Sequence, residues 1–175
     1  MTVALFPSVE TIARFGKDSG VYGFMNTAWG WPTIESIHFI ALSTLLGTVG
    51  LFDLRVLGLA KQIPMPAFHR LVPFGVAAFA VNIVTGSMFF MSAPDQYMFN
   101  PGFRLKMACM LVAGLNVVVF YSMFASRLRY TSGGDTAPTS VKVIAAISLA
   151  AWIGVIIFGR LITYFRPPYH WCFNC

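Results

Sequence analysis

The sequence is poor in charge, because only 10% of its 175 residues are Asp, Glu, Lys or Arg. A soluble globular domain carries about a quarter of its residues as charged side chains. Hydrophobic residues make up 57% of the chain. This composition excludes a soluble domain and predicts an integral membrane protein. The formal net charge of +6 is then expected to come from basic side chains at helix ends, near lipid headgroups, and no nucleic-acid partner is predicted.

Several sequence signatures are also missing. The chain has no Gly-x-Gly-x-x-Gly, no phosphate-binding loop and no His-Glu-x-x-His. Glu35-x-x-His38 occurs once, whereas a carboxylate-bridged di-iron bundle needs that spacing twice. Residues 1–20 lack the basic start and apolar core of a cleavable signal peptide. These absences leave open whether the protein is an enzyme.

Four apolar segments, residues 34–59, 71–91, 103–124 and 141–162, each approach the roughly 20 residues that a transmembrane helix needs. Short connections rich in turn residues predict that sequential helices are antiparallel neighbours. The expected fold is an all-α membrane protein with a four-transmembrane-helix up-and-down bundle over residues 31–163. An N-terminal interfacial segment (1–30) precedes it and a C-terminal tail (164–175) follows. Residues 7–16 are predicted to form a short interfacial helix, with disorder as the alternative.

Small and polar residues within the spans predict how the helices pack. Asn82 and Asn116 lie near mid-depth of the second and third spans, so an interhelical hydrogen bond between them is expected. Small residues allow helix backbones to approach closely in membranes. The glycines expected at such contacts are Gly47, Gly50, Gly86, Gly114 and Gly154.

Orientation follows from the basic residues, which divide evenly between the two sides. The third connection carries Arg127 and Arg129, which have no neighbouring acidic partner within a helix end and serve topology alone. By the positive-inside rule this connection and the first one are cytoplasmic. Both termini are therefore expected in the periplasm.

Polar side chains from remote parts of the chain are expected at the outer end of this bundle. Ionisable groups inside a membrane helix call for a partner, a ligand or a pathway. Glu35 pairs with Lys106 or Arg160 in the plainer interpretation, and His38 is a neutral imidazole bonded to a neighbouring helix. In the functional interpretation these groups hold a cofactor. The residues proposed for this role are Glu35, His38, Arg104, Lys106, Arg160, Arg166 and His170.

Haem b is the cofactor that suits this set best. Its iron would be held by His38 with His170, or with a methionine such as Met107 or Met110. The basic side chains of the outer end would then suit the propionates. His69 opens the second span at the opposite end, too far along the first helix from His38 for the two to share a metal.

The C-terminal Cys172-x-x-Cys175 supports two interpretations. In an oxidising periplasm the two cysteines form a disulfide. Alternatively, both thiolates and His170 bind copper or another soft metal, with His38 as a further candidate ligand. Haem c attachment is excluded because no histidine follows Cys175.

Five segments of the chain carry a family resemblance. They are ESIHF (35–39), FDLRVLG (52–58), APDQY (93–97), NP (100–101) and GRLI (159–162). In these segments the chain resembles an uncharacterised bacterial family of four-helix inner-membrane proteins, from about Trp29 to the end. The resemblance implies a multi-pass protein of the bacterial inner membrane and gives no mechanism. More distantly, the layout is similar to the bacterial di-haem cytochromes b that oxidise quinol, but a second histidine pair is missing.

The leading functional hypothesis is a membrane protein or subunit of a periplasm-facing redox system that transfers electrons, with haem b at its outer mouth and quinone as a candidate partner. A second hypothesis is a structural or anchor subunit of a larger membrane complex, or a homo-oligomer, without a cofactor of its own. A third is a protein that handles metals or small solutes.

Overall fold

The computed structural model describes residues 8–123 and 137–165, and these residues form helices joined by short turns. Four helices are long and apolar enough to cross a membrane, so the protein is an all-α, multi-pass membrane protein, as predicted. The helices are α1 (Val9–Asp18), α2 (Val21–Met25), α3 (Gly30–Leu57), α4 (Met65–His69), α5 (Val72–Ser92), α6 (Pro94–Met98), α7 (Pro101–Met123) and α8 (Thr139–Leu161), followed by a 3-10 turn at Ile162–Phe165.

Proline and glycine set the limits of the long helices. Pro73 lies in the first turn of α5, Pro101 begins α7 and Pro138 precedes α8. Proline fits a first helical turn because its missing N–H has no intrahelical partner there. At the other end of α3, Gly58 has φ 112°, a conformation that glycine adopts without steric cost. The predicted spans therefore agree closely with the observed helices.

The N-terminal segment forms two short helices that pack against the end of α5. The predicted short helix is present as α1, whose N-terminus is capped by the Ser8 hydroxyl accepting from the Thr11 N–H. α1 contacts α5 and α6, and α2 contacts α5. Gly16 lies so close to the Met91 carbonyl that a Cβ there would be 2.5 Å from its oxygen. The segment is thus docked on the bundle at the end where α5 finishes.

The four long helices are neighbours in chain order, but their contacts differ in extent. α3 packs against α5 and α8, and α8 packs against α7, whereas α5 and α7 touch at one end, where the Phe90 and Phe103 rings stack at 5.6 Å. The expectation that sequential helices are neighbours is therefore confirmed, and α5 and α7 separate away from that end. α3 and α8 together form the centre of the bundle. The gap between α5 and α7 contains the cavity described below.

Two predictions of detailed packing are wrong. Asn82 donates to the Ala78 carbonyl of its own helix, and Asn116 donates across to the Ile144 carbonyl of α8 at 3.1 Å. The two amides do not meet, since each donates to a main-chain carbonyl of its own helix or of α8. The expected helix contact is present at Gly154, where a Cβ would lie 2.8 Å from Cys109 Sγ. It is absent at Gly47, Gly50 and Gly114, which face open space.

Candidate functional site

A cavity of about 270 Å³ lies between α5 and α7. Its rim includes Val76 of α5 and Val117 and Tyr121 of α7, which are 64%, 40% and 42% exposed. Residues of α3 and α8 form its floor. Because these helices span the membrane, the opening between α5 and α7 faces lipid. We call this space the Asp53 cavity, after the acidic residue in its wall.

The wall of the Asp53 cavity is almost entirely apolar and strongly aromatic. Gly114 leaves open space in the wall, Gly75 lets the Thr48 hydroxyl approach closely, and larger side chains surround the cavity. Phe79 packs edge to face on Trp152, and Phe52 on Phe120. A wall of this kind suits an apolar molecule. The aromatic residues that line the cavity are Phe52, Phe68, Phe79, Phe120, Tyr121 and Trp152.

Asp53 is the one carboxylate in this wall among the residues that the structure describes, and it is 5% exposed. The Ser148 side chain of α8 lies near it as a potential donor, while Oδ2 has no hydrogen-bond partner in the described part of the chain. Arg55 does not neutralise it. The Arg55 Nε donates to the Ile63 carbonyl at 2.8 Å, and the two side chains form no ion pair. Asp53 therefore offers an unused acceptor beside the cavity.

The wall contains other polar groups besides the Asp53 carboxylate. Two of them are hydrogen-bonded, and a third, among the residues that the structure describes, is a donor without an acceptor. Thr48 and Asn116 donate to main-chain carbonyls at 2.8 and 3.1 Å. The indole N–H of Trp152 is buried and has no acceptor within residues 8–123 and 137–165. Trp152 lies one turn beyond Ser148 on the same face of α8. The cavity wall thus contains one acceptor and one donor that remain unpaired.

At the opposite end of α3, His38 is hydrogen-bonded to a neighbouring helix. Its Nδ1 lies 2.6 Å from Thr85 Oγ1, and its ring packs edge to face on Phe89 of α5. The Thr85 hydroxyl donates to the Val81 carbonyl at 2.8 Å. Because the hydroxyl has one hydrogen, Nδ1–H donates to its oxygen and Nε2 carries the lone pair. This tautomer leaves Nε2 as the atom that could bind a metal.

The other residues predicted for the outer end are only partly brought together. Lys106 is close enough to His38 for a Coulombic interaction, and its side chain packs against Gly159 of α8. Glu35 is exposed and forms no ion pair with Lys106 or Arg160, so the expected pairing is absent. Arg104 is exposed, and Arg160 lies over the Tyr164 ring at 5.9 Å.

The tail predictions lie outside the described residues. They concern Arg166, His170, Cys172 and Cys175, and they remain predictions. Within residues 8–123 and 137–165, no group of three or more His, Cys, Asp or Glu side chains could hold a metal ion.

Sequence reasoning missed the Asp53 cavity. Asp53 was noted only as part of the FDLRVLG segment, and Ser148 and Trp152 were not singled out. The available signal was the acidic residue itself, because a carboxylate within a membrane helix marks a functional site by default. Its position near the end of the first span made it resemble an ordinary helix-end charge.

The fold and this site define a class: a four-helix, multi-pass membrane protein with an apolar cavity that opens between two of its helices. Within that class, residues 9–165 match a family model described as a family of unknown function, DUF6644. The chain belongs to this family, which confirms the resemblance to an uncharacterised family. No curated protein and no solved structure matches the chain, and no similarity to cytochromes b is found.

Proposed function

We propose that this membrane protein binds a lipophilic, ring-sized small molecule dissolved in the bilayer, in the Asp53 cavity. The observation that carries the proposal is an aromatic cavity of about 270 Å³ with an unpaired, buried carboxyl oxygen in its wall. An apolar cavity of about 150 Å³ already holds a molecule such as benzene.

The opening between α5 and α7 supports entry from the lipid. Exposed Val76 and Val117 lie on the rim, so a molecule that partitions into the bilayer reaches the cavity without crossing water. An unfilled apolar space also loses packing contacts around its whole lining, which favours an occupant. Side chains of all four long helices form the wall, so ligand binding would require the four helices to be assembled.

Gly114→Leu tests this proposal by filling the cavity. A Cβ at Gly114 meets nothing within 4 Å, so the leucine enters the open space without a clash. Gly47→Leu is the matched control, since Gly47 also faces open space but does not line the cavity. Both changes replace a helical glycine by leucine and gain the same helix propensity.

The measurement is equilibrium dialysis of two probes, neopentylbenzene and benzyltrimethylammonium, against the protein in nanodiscs and against empty nanodiscs. We expect wild type and Gly47→Leu to take up at least one probe in excess of empty nanodiscs. Gly114→Leu should bind that probe at least about tenfold more weakly, which corresponds to about 1.4 kcal/mol. No excess uptake, or equal binding by the two leucine variants, overturns the proposal.

A second candidate function is the periplasm-facing redox protein with haem b at His38. The observation in its favour is the His38–Thr85 hydrogen bond, which orients the imidazole and leaves Nε2 with a lone pair. Haem would supply one-electron chemistry when bound. The chain's own contribution would be to hold the imidazole tautomer through Thr85 and to place the positive charge of Lys106 nearby.

Absorption spectroscopy tests this second candidate. Protein expressed with a haem precursor should show a Soret band that is lost in His38→Ala and retained in His69→Ala. His69 is a suitable control because it packs against Phe52 at the opposite end of α3. Protein expressed with an ample supply of haem precursor and purified without a Soret band rules the candidate out.

A further inference from the structure

We propose that the natural ligand of the Asp53 cavity is a lipophilic organic cation, such as a molecule with an ammonium group and an apolar body. This inference rests on the proposed function and names the ligand class of the same site. It is carried by the charge and the aromatic character of the wall, which are independent of the cavity's size.

The charge of the wall selects a cation. Asp53 is its one acidic residue, and no Lys, Arg or His lines the cavity in the described part of the chain. An ionised carboxylate with an unpaired oxygen in apolar surroundings is costly unless a positive group or a donor faces it. Because Arg55 is turned to the Ile63 carbonyl, this partner is not supplied by the neighbouring arginine. A bound cation would supply it.

The aromatic residues of the wall favour the same ligand class. Six aromatic side chains surround the space, and the face of an aromatic ring attracts a cation within about 6 Å of its centroid. This attraction is larger where water is excluded, as it is inside a membrane helix bundle. The open rim leaves room for an apolar body to extend towards the lipid between α5 and α7. A carboxylate at the floor and rings around it therefore form a complementary site for an organic ammonium group.

A charge-matched pair of probes separates this inference from simple apolar binding. Benzyltrimethylammonium and neopentylbenzene have the same shape and differ by the exchange of a positive nitrogen for carbon. Asp53→Asn retains the size of the side chain and its capacity to bond with Ser148, and it removes the negative charge. The comparison is the change that each variant causes in binding of each probe, so differences in membrane partitioning cancel.

We expect Asp53→Asn to weaken benzyltrimethylammonium binding by about tenfold or more, and to leave neopentylbenzene binding within about twofold of wild type. If Gly114→Leu weakens binding of either probe but Asp53→Asn changes neither, the cavity binds ligand and the inference about charge is wrong. If Gly114→Leu changes neither, the proposed function fails and the inference fails with it. Binding of neopentylbenzene alone by wild type also overturns the inference.

Phe79→Leu provides a second variant that does not alter the carboxylate. Phe79 is half-buried, lines the cavity and contacts the Trp152 ring. Leucine preserves an apolar contact and removes the π face, so the ammonium probe should lose about three- to tenfold in affinity and the neutral probe should lose less. Equal losses for the two probes would contradict recognition of the positive charge by the aromatic wall. This variant decides the question if Asp53→Asn does not fold.

Discussion

Ser148 of α8 lies near Asp53 of α3, where its hydroxyl is a potential donor to the buried carboxylate. Ser148→Ala leaves the buried carboxylate without this donor, and an unsatisfied buried group costs about 1–3 kcal/mol. We expect the free energy of unfolding to fall by this amount. Equilibrium unfolding in mixed micelles of SDS and a mild detergent measures it.

The control for this change is Ser122→Ala. Ser122 is exposed, and its hydroxyl donates to the Val119 carbonyl of its own helix. Its loss should change the free energy of unfolding by less than about 0.5 kcal/mol. Equal effects of the two substitutions would show that the Asp53–Ser148 contact does not stabilise the bundle.

Thr85 is the hydrogen-bonding partner of His38 on the neighbouring helix α5. Thr85→Val removes the oxygen that accepts the Nδ1–H of His38, and Thr85 is 3% exposed. The free energy of unfolding should decrease by about 1–3 kcal/mol because the imidazole N–H loses its partner. In nuclear magnetic resonance spectra, the imidazole nitrogen shifts of His38 should also change. Thr44→Val is the matched control, since the exposed Thr44 hydroxyl donates to the Ile40 carbonyl of the same helix. Comparable decreases in the free energy of unfolding of both variants would contradict the expectation.

Asn100 connects two helix ends. Its Nδ2 donates to the Ile162 carbonyl at 3.0 Å and its Oδ1 accepts from the Phe103 N–H at 3.3 Å, so it caps α7 and holds the end of α8. Asn100→Ala should lower the free energy of unfolding by about 2–3 kcal/mol, because the cap and the interhelical bond are lost together. Asn26→Ala, which removes an exposed bond to Tyr22, should have little effect. A small effect at position 100 would mean that water replaces these bonds.

The contact between α7 and α8 depends on Gly154. A Cβ there would lie 2.8 Å from Cys109 Sγ, so Gly154→Ala should destabilise the protein by about 1–3 kcal/mol through overpacking. In the double variant, Cys109→Ala removes the sulfur, so Gly154→Ala should then cause much less destabilisation. The same loss in both backgrounds, measured by unfolding in mixed micelles, would place the strain elsewhere.

The individual helices and the pairs α3–α5 and α7–α8 were predictable from the sequence, and the separation of α5 from α7 beside the cavity was not. Runs of apolar residues have the length that a bilayer requires, and Pro73, Pro101 and Gly58 mark helix ends by their own backbone chemistry. Which helices touch depends on side-chain volumes on facing surfaces, which hydropathy does not report. For that reason the expectation of a helix contact is confirmed for Gly154 and wrong for Gly114, which faces a cavity.

Among the residues that the structure describes, two separate polar regions lie towards opposite ends of α3. Asp53 and His38 are 15 residues apart on α3, a rise of about 22 Å. The approach of Lys106 to His38 could be inferred from helix directions alone. The Asp53 cavity could not, because it exists only where α5 and α7 separate, and that separation depends on the packing of all four long helices.

The most direct test of the account is the position of a bound cation. Crystals of the protein grown with (4-bromobenzyl)trimethylammonium, measured at the bromine absorption edge, give an anomalous difference map that locates the ligand. We predict a bromine peak between α5 and α7, with the ammonium group beside Asp53 and among the aromatic residues of the cavity. A peak confined to the outer surface of the bundle, or a lipid chain in the cavity with no bromine peak at saturating ligand, would contradict the account.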